Sequence, residues 1–271
     1  MRDFEFHNGV MPTWDSNQYL QFADQRTRPC RDLAARVNVA APSRVIDLGC
    51  GPGNSTAVLM KRWPAAQITG LDSSPQMIES ARKSYPDQTW ILGDINLWNA
   101  EGKEGFDVAF SNAALQWAED HATLFPRLMR AVNPGGALAI QVPGNFDATA
   151  HRLMREIAAE PAWKVRFPPG GVREWHVHDL PFYYDVLSTG ADHLDLWETE
   201  YIHIMPSAQA ILEWYKGTGL RPFLDALKSD EQRSEFLENY LQKLTAAYPP
   251  QADGKILFPF RRLFIIAYAA K

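Results

Sequence analysis

The segment that most constrains the fold is VIDLGCGPGNS at residues 45–55, where a short apolar run ends in Asp47 and glycines follow at positions 49, 51 and 53. The apolar run has the composition of a buried strand, and the residues from Asn54 to Trp63 are helix-like up to Pro64. Glycine adopts backbone dihedrals that are closed to other residues and lets a ligand approach the main chain. The segment therefore predicts the first strand, turn and helix of a parallel α/β sheet, with a ligand at the turn.

The chain that follows repeats this alternation of strands and helices. Further strands are predicted at residues 67–71, 90–92, 106–111 and 137–142, and helices at 74–85 and 121–132. The Asn133-Pro134-Gly135-Gly136 sequence predicts a stop and a turn. Apolar strands that alternate with helices favour parallel pairing with right-handed crossovers, which is a doubly wound α/β sheet.

The pattern changes after Pro143. Helices are predicted at residues 148–160, 182–189, 207–218 and 230–248, strands at 193–204 and 256–268, and a loop-rich stretch at 167–182. We expect a single domain over residues 1–271. In it, residues 44–142 form the ligand-binding core, residues 145–192 and 205–250 form a helical cap over the site, and residues 1–30 close over the acceptor.

Composition and charge exclude several classes of protein. The 271 residues are 46% hydrophobic and 22% charged with a net charge of −5, which fits a soluble globular protein and gives no bulk attraction to nucleic acid. Cys30 and Cys50 are the only cysteines, so neither a disulfide framework nor a zinc site is expected. No apolar stretch reaches the roughly 18 residues of a membrane span, and the start does not read as a signal peptide. We expect a cytoplasmic protein without a membrane or nucleic-acid partner; the oligomeric state stays open.

Polar residues around the glycine turn define the ligand. The spacing is GxGxG, unlike the GxGxxG of dinucleotide sites, and no lysine follows to meet a phosphate. Asp47 would repel a pyrophosphate but attract an ammonium group. Asp72, at the end of the second strand, can accept both hydroxyls of a ribose. Asp94, after the third strand, can accept from the amine of adenine, with Met77 and Ile95 as apolar neighbours. An amine, a ribose and an adenine without phosphates describe S-adenosylmethionine.

With these motifs, residues 44–142 resemble the class I S-adenosylmethionine-dependent methyltransferases. The resemblance rests on DLGCGPG at 47–53, LD at 71–72, GDI at 93–95, FD at 106–107 and NPGG at 133–136. It implies a Rossmann-like, mostly parallel seven-stranded sheet with an antiparallel last strand, and it places Asn112 and Ala113 beside the methionine part of the cofactor. The predicted cofactor site comprises Asp47, Gly49, Gly51, Gly53, Asn54, Asp72, Ser73, Met77, Asp94, Ile95, Asn112 and Ala113.

A second resemblance covers most of the chain, including parts outside the sheet. The strings DLGCGPGNSTA at 47–57, LQW at 115–117, TGLRP at 218–222 and RLFI at 262–265 are similar to those of family members that methylate a carboxylate of trans-aconitate. The resemblance implies an S-adenosylmethionine-dependent O-methyltransferase. Its acceptor would be a small polycarboxylic acid, and its products a monomethyl ester and S-adenosylhomocysteine.

The chemistry of the residues is compatible with that activity. Carboxylates titrate near pH 4, so an acceptor carboxylate is ionised at about pH 7 and needs alignment and exclusion of water rather than a general base. We therefore expect no catalytic acid or base and no metal. Arginine forks match carboxylates, and aromatic side chains exclude water. The predicted acceptor-binding residues are Trp14, Tyr19, Arg26, Trp117, Arg173, Tyr183, Trp214, Arg221 and Arg262.

Three alternatives stay open at this point. A methyltransferase for another small acid, a lipid or an amine would share the cofactor site. In that comparison an arginine-lined pocket favours an acid, and an apolar tunnel favours a lipid. A non-catalytic nucleotide-binding or regulatory module would need no enclosed acceptor cavity. An NAD-dependent dehydrogenase would be expected to carry GxGxxG in place of GxGxG.

Overall fold

The computed structural model describes residues 23–98, 105–168, 172 and 176–271. These residues form a seven-stranded sheet in the order β3-β2-β1-β4-β5-β7-β6. The strands are β1 (Arg44–Leu48), β2 (Gln67–Asp72), β3 (Thr89–Leu92), β4 (Phe106–Asn112), β5 (Val132–Pro143), β6 (His193–Met205) and β7 (Ile256–Tyr268).

Strand direction follows the predicted doubly wound pattern. β1 pairs in parallel with β2 and β4, β2 with β3, and β4 with β5. β7, the last strand in the chain, is antiparallel to both β5 and β6. The mostly parallel α/β sheet with an antiparallel last strand is therefore confirmed. Its strand order reverses between β1 and β4, which is where open α/β sheets bind their ligands.

Helices cover both faces of the sheet and form a separate layer beyond its carboxyl edge. They are α1 (Ala23–Arg36), α2 (Asn54–Arg62), α3 (Pro75–Ser84), α4 (His121–Met129), α5 (Thr149–Ala159), α6 (Pro161–Lys164), α7 (Leu180–Ser188), α8 (Ala208–Lys216), α9 (Arg221–Ala226) and α10 (Asp230–Ala247), with a 3₁₀ turn at Leu115–Trp117. Side-chain caps begin several of them: Ser74 accepts from the Met77 amide at α3, and Asp120 accepts from the Thr123 amide at α4. None of the described helices has the length and hydropathy of a membrane span.

The region around Asn133 departs from the prediction. Helix α4 ends at Met129, three residues earlier than predicted, and β5 begins at Val132, so the expected turn at 133–136 lies inside a strand. The register shows why: Phe106 pairs with Val132, but Val108 pairs with Ala137, so the four residues form a bulge. A Cβ on Gly136 would lie 2.5 Å from the Asp107 carbonyl oxygen. The helices α1, α6 and α9 were also not predicted.

Among the described residues, the three largest apolar clusters hold these layers together. One packs α4 and α7 on one face of the sheet, and a second packs α1 and α2 on the opposite face. The third joins α5, α8 and α10 to the first half of β7 through Trp214, Phe236, Tyr240, Phe258 and Phe260. Because these helices share one core with a strand of the sheet, they are anchored at the carboxyl edge, where the site lies.

Candidate active site

The glycine turn after β1 has the backbone geometry that its sequence predicts. Gly49, Gly51 and Gly53 have φ angles of +76°, +55° and +97°, values that other residues rarely adopt. The amides of Gly49 and Cys50 donate to the Leu71 carbonyl at 2.7 and 3.0 Å. A Cβ on Gly49 would lie 2.2 Å from the Ala114 Cβ, whereas a Cβ on Gly51 would meet no atom within 4 Å. Gly49 therefore serves close packing, and Gly51 faces an open cleft.

Asp72 joins this turn to β2. Its Oδ2 accepts from the Gly51 amide at 2.9 Å, and its Oδ1 accepts from the Ser74 amide at 2.9 Å. Burial raises the pKa of the Asp72 carboxyl, while the backbone amides oppose that rise. Each carboxylate oxygen can accept a second hydrogen bond, so Asp72 can hold the turn and still bind the hydroxyls of a ribose. Sequence analysis identified only the second role.

The remaining predicted cofactor residues line the carboxyl ends of β2 and β3. Asp94 is exposed, and its Oδ1 accepts from the Asn96 amide at 2.8 Å. Ile95 is half-buried and lies close to the turn, since a Cβ on Gly49 would be 3.5 Å from its Cδ1. Met77 is half-buried in the first turn of α3, and Ser73 before it is exposed. The strand order places these residues along the carboxyl edge of the sheet, and Asn54 is half-buried at the start of α2.

Asp47 is fully buried beneath the turn. Its Oδ2 accepts from the hydroxyls of Ser55 at 2.7 Å and Thr56 at 2.6 Å, whereas its Oδ1 has no hydrogen-bond partner. Burial raises the pKa of the carboxyl to about 6. On the adjacent β4, the Oδ1 of Asn112 is also buried without a partner. Two neighbouring buried oxygens that lack donors suit a ligand rich in N–H groups, such as an ammonium.

The turn after β4 is strained at Ala113, which has a φ angle of +53° without being glycine. Its amide donates to the Gln141 carbonyl at 2.9 Å, which fixes the turn to β5. The next residue, Ala114, is the one whose Cβ abuts Gly49. This conformation sends the chain into the 3₁₀ turn that carries Trp117, beside the glycine turn.

Beyond Asn112, the same face of the sheet carries a row of buried polar side chains. Asn112 pairs with Gln141, Gln141 pairs with Phe264, and Arg262 lies two residues before Phe264 on β7. Because alternate residues of a strand share a face, Asn112, Gln141 and Arg262 project from the same side. His203 joins them, since it lies four residues after Thr199, the partner of Arg262 on β6. The polar row comprises Asn112, Gln141, His203 and Arg262.

The polar row separates two of the apolar clusters. On one side lie Phe110 and Phe264, packed under α1 and α2, and on the other lie Phe258 and Phe260, packed under α5, α8 and α10. All four members of the row are buried or half-buried. The row therefore runs between the core under α1 and α2 and the layer of α5, α8 and α10, and it begins at Asn112 on β4.

Two arginines lie at the far end of the row, one of them, Arg28, paired with Asp32 at 4.0 Å. Arg262 is only 6% exposed, and its guanidinium lies 4.4 Å from the centre of the Phe260 ring. Arg28 of α1 lies 4.9 Å from the centre of the Tyr201 ring. Burial, and then the charges of these two arginines, lower the pKa of His203 to about 4, so His203 is neutral at pH 7. This end of the row suits an anionic ligand.

Of the other predicted acceptor residues, Trp214 lies at this end, while Arg221 and Trp117 lie in neighbouring elements. Trp214 is buried, with its ring centre 4.9 Å from that of His203. Arg221 begins α9 and is half-buried, two residues after Gly219, where a Cβ would lie 2.7 Å from the His151 Cε1. Asn145 donates to the Tyr215 hydroxyl at 3.3 Å. Trp117 is half-buried in the 3₁₀ turn on the cofactor side.

Tyr183 is placed elsewhere, in the core between α4 and α7. Its hydroxyl accepts from the His178 amide at 3.2 Å and bonds the His121 Nδ1 at 2.9 Å, while the His121 Nε2 bonds the Leu115 carbonyl at 2.8 Å. Burial lowers the pKa of His121 to about 4 and raises that of Tyr183 to about 12. Neutral His121 then donates from Nε2 and links the core to the turn that carries Trp117. The structure does not bring Tyr183 together with Arg262, and its predicted contact with the acceptor stays a prediction.

Several predictions fall where the structure gives no side chain. Trp14, Tyr19 and Arg173 lie outside the described residues, and so does most of the predicted covering segment 1–30. Arg26 lies within α1, but its side chain is also outside the description. In the described part of the chain, no cluster of three or more His, Cys, Asp or Glu could hold a metal ion.

Sequence analysis missed Gln141, Asn145 and His203. Gln141 did carry a signal, because it is the single polar residue in the apolar run ALAIQV at 137–142. A polar residue in a strand buried on both faces needs a partner or a ligand. His203 carried no comparable signal, because its position depends on the register of β6 against β7.

Comparison with known proteins agrees with this architecture. Residues 45–136 match the family of methyltransferase domains. The trans-aconitate 2-methyltransferase of Azoarcus sp. is 50% identical, over 95% of this chain and 99% of that protein. The trans-aconitate 2-methyltransferase of Methylobacterium nodulans is 48% identical, over 95% of this chain and 98% of that protein. Among solved structures, phosphoethanolamine N-methyltransferase 2 of Haemonchus contortus, in complex with S-adenosylhomocysteine, superposes with a TM-score of 0.56. The superposition covers 90% of this chain and 53% of that one at 18% identity, so this likeness concerns the fold alone.

The sheet order, the glycine turn and the matched domain define a Rossmann-like methyltransferase. Within this class, the two trans-aconitate 2-methyltransferases are 48–50% identical over nearly the whole chain, which identifies the family. The chain belongs to the trans-aconitate 2-methyltransferase family.

Proposed function

We propose that the protein transfers a methyl group from S-adenosylmethionine to a carboxylate of trans-aconitate, giving a monomethyl ester and S-adenosylhomocysteine. The observation that carries the proposal is the polar row. It joins a cleft of buried acceptor oxygens, at Asp47 and Asn112, to a buried cation at Arg262 on one face of the sheet. The names of the relatives support the choice of acid.

The cleft around the glycine turn fits the parts of the cofactor. The unpartnered oxygens of Asp47 and Asn112 would accept from its ammonium group. Asp72 would accept from the ribose hydroxyls, and exposed Asp94 from the adenine amine, with Met77 beside the ring. The methyl donor supplies an electrophilic carbon on a sulfonium. The residues at the end of β4 and Gln141 beside them would hold that carbon near the acceptor.

The acceptor carboxylate is the nucleophile and needs no base. One of its oxygens forms a bond to the methyl carbon as the bond from sulfur to that carbon breaks, and the electron pair stays on sulfur. No proton moves. Arg262 would hold another carboxylate of the acceptor, and the charges of Arg28 and Arg221 would favour its entry. Trp214 and the cap would exclude water, which strengthens these electrostatic contacts.

A buried arginine beside neutral polar groups favours a small acid over a lipid acceptor. A lipid would need a broadly apolar channel, whereas the floor between sheet and cap carries polar side chains from β4 to β6. The oxygens at Asp47 and Asn112 likewise favour a cationic ligand over the pyrophosphate of NAD. Other small polycarboxylates remain the alternatives that an assay has to separate.

The test is a transfer assay with isotopically labelled S-adenosylmethionine and a panel of tri-, di- and monocarboxylates. We expect labelled ester and S-adenosylhomocysteine in equal amounts, with the highest kcat/KM on trans-aconitate and the lowest on monocarboxylates. Calorimetry on the same preparation checks that the cofactor binds. Cofactor binding without transfer to any acid on the panel would contradict the proposal.

A further inference from the structure

We propose that Gln141 is a further acceptor-binding residue, whose side-chain amide donates a hydrogen bond to the carboxylate that receives the methyl group. The inference rests on the proposed function, because it assigns a further residue to the same reaction. Two members of the polar row then have different roles. Gln141 holds the reacting carboxylate, and Arg262 holds a carboxylate that does not react.

Gln141 has hydrogen-bonding capacity that the protein itself does not use. Its side chain is fully buried, and neither Oε1 nor Nε2 has a hydrogen-bond partner. Such side chains are rare in native proteins, because burial without a partner is unfavourable. Ser111 on the adjacent strand shows the ordinary arrangement, since it is equally buried but donates to the Leu48 carbonyl at 2.8 Å. The unused amide of Gln141 therefore points to a ligand.

The register places Gln141 where the two halves of the site meet. On one side it pairs with Asn112, whose unpartnered oxygen belongs to the cofactor cleft. On the other side it pairs with Phe264, two residues from Arg262. Its carbonyl accepts from the Ala113 amide at 2.9 Å, so its main chain is fixed to the strained turn. A side chain in this position can reach an acceptor carboxylate that approaches the methyl group of the cofactor.

The chemistry of an amide suits the reacting carboxylate better than a second cation would. An arginine ion pair draws electron density from the carboxylate oxygens and weakens them as nucleophiles. A neutral amide N–H orients one oxygen and leaves the other free to attack the methyl carbon. His203 is also neutral at pH 7, so Arg262 supplies the buried charge of the row. The row thus combines a cationic end for binding with a neutral middle for reaction.

The experiment compares the native enzyme with Gln141→Met, which keeps the length of the side chain but removes both polar atoms. We measure kcat and KM on trans-aconitate and on a dicarboxylate such as fumarate, the Kd of S-adenosylmethionine, and the melting temperature without ligands. We expect kcat to fall by about tenfold to a hundredfold on both acids, as for a lost hydrogen bond to a charged group. The cofactor Kd should stay unchanged. The melting temperature should hold or rise, because an unpartnered buried amide is removed.

The matched control is Gln209→Met, the same change at an exposed glutamine that bonds only Glu213 at 2.8 Å; it should leave kcat unchanged. An unchanged kcat in Gln141→Met would overturn the inference while the native enzyme remained active. Weaker cofactor binding would make Gln141 a cofactor ligand, and a lower melting temperature together with lower kcat would make it structural. If the native enzyme bound the cofactor but methylated no polycarboxylate, the proposed function itself would fail, and the inference with it.

Discussion

The two halves of the site are built in different ways. The cofactor cleft comes from a short part of the chain, residues 47–95 with the end of β4, and it depends on backbone geometry and on carboxylates that follow strands. The acceptor half gathers Arg28, Gln141, His203 and Arg262 from α1, β5, β6 and β7, and no two of these are neighbours in sequence. In the proposed function the first half binds a ligand common to many enzymes, whereas the second selects one acid. Local motifs are sufficient for the former, and long-range register determines the latter.

The largest expected effect is at Arg262, whose replacement should weaken acceptor recognition and leave cofactor binding unchanged. Arg262→Ala should lower kcat/KM on trans-aconitate. The corresponding loss of transition-state stabilisation should be about 2–4 kcal/mol, the typical effect of removing one partner of a buried charge pair. The cofactor Kd should not change, and a monocarboxylate should be much less affected. Arg262→Lys should restore only part of the activity, because lysine lacks the planar fork. The control is Arg152→Ala at an exposed surface pair with Glu156. Equal losses on every acid would show that Arg262 does not recognise acceptor charge.

The cofactor half should respond in the opposite way at Asp72. Asp72→Ala should weaken S-adenosylmethionine binding by about 1–3 kcal/mol, because ribose hydroxyls lose their acceptor. Asp72 also holds the Gly51 amide, so Asp72→Asn serves as the milder variant that keeps one acceptor oxygen. Calorimetry measures both Kd values, and the melting temperature reports any loosening of the turn. If cofactor affinity stayed at the native value while KM for the acceptor rose, the assignment of the two halves would be reversed.

Sequence alone could place the residues of the first half at the carboxyl ends of their strands for a physical reason, and their contacts with the cofactor stay a prediction. Asp47, Gly49, Asp72 and Asp94 are fixed by strand ends and by one turn, so spacing along the chain is enough to place them. Gln141 and His203 needed the pairing of β5 with β7 and of β7 with β6, which no local pattern encodes. Arg262 was predicted, but from resemblance and residue type; its burial beside Phe260 came only from the structure.

The same limit applies to the fold. The parallel core followed from alternating strands and helices, because each strand, turn and helix is a local unit. The bulge at residues 133–136 was predicted as a turn, since Asn-Pro-Gly-Gly has turn composition, but pairing with β4 carries these residues as part of β5. At the turn, tertiary contacts overrode the local composition. Tyr183 was chosen as an aromatic wall of the acceptor site; its hydroxyl bonds His121 between α4 and α7, and its contact with the acceptor stays a prediction.

The smallest expected effect concerns pH and Asp47. Burial raises the pKa of Asp47 from its ordinary value of 3.8 to about 6, so the carboxylate is ionised at pH 7 and becomes protonated as the pH falls below 6. An ammonium ligand needs the ionised form. The affinity for S-adenosylmethionine should therefore be highest near pH 7 and should fall as the pH drops below 6, by up to about tenfold per pH unit. Acceptor recognition by Arg262 should not share this dependence, because arginine keeps its charge throughout.

The contribution of Asp47 to the stability of the ligand-free protein should depend on pH in the opposite direction to cofactor affinity. A carboxyl whose pKa is raised by folding stabilises the folded state when it is protonated, and this contribution is lost as the pH rises through 6. Falling pH should therefore weaken cofactor binding. It should also stabilise the ligand-free fold, because the buried Asp47 carboxyl becomes neutral. Buried histidines with lowered pKa values lose stability as the pH falls and so oppose the gain from Asp47. The measurement is therefore the difference in the free energy of unfolding between native protein and Asp47→Asn, from denaturant titrations between pH 7.5 and 5. Asparagine keeps an acceptor for Ser55 and Thr56 but carries no charge, so it should remove both pH dependences together. A variant that kept the native pH profile of cofactor binding would show that the ammonium is held elsewhere.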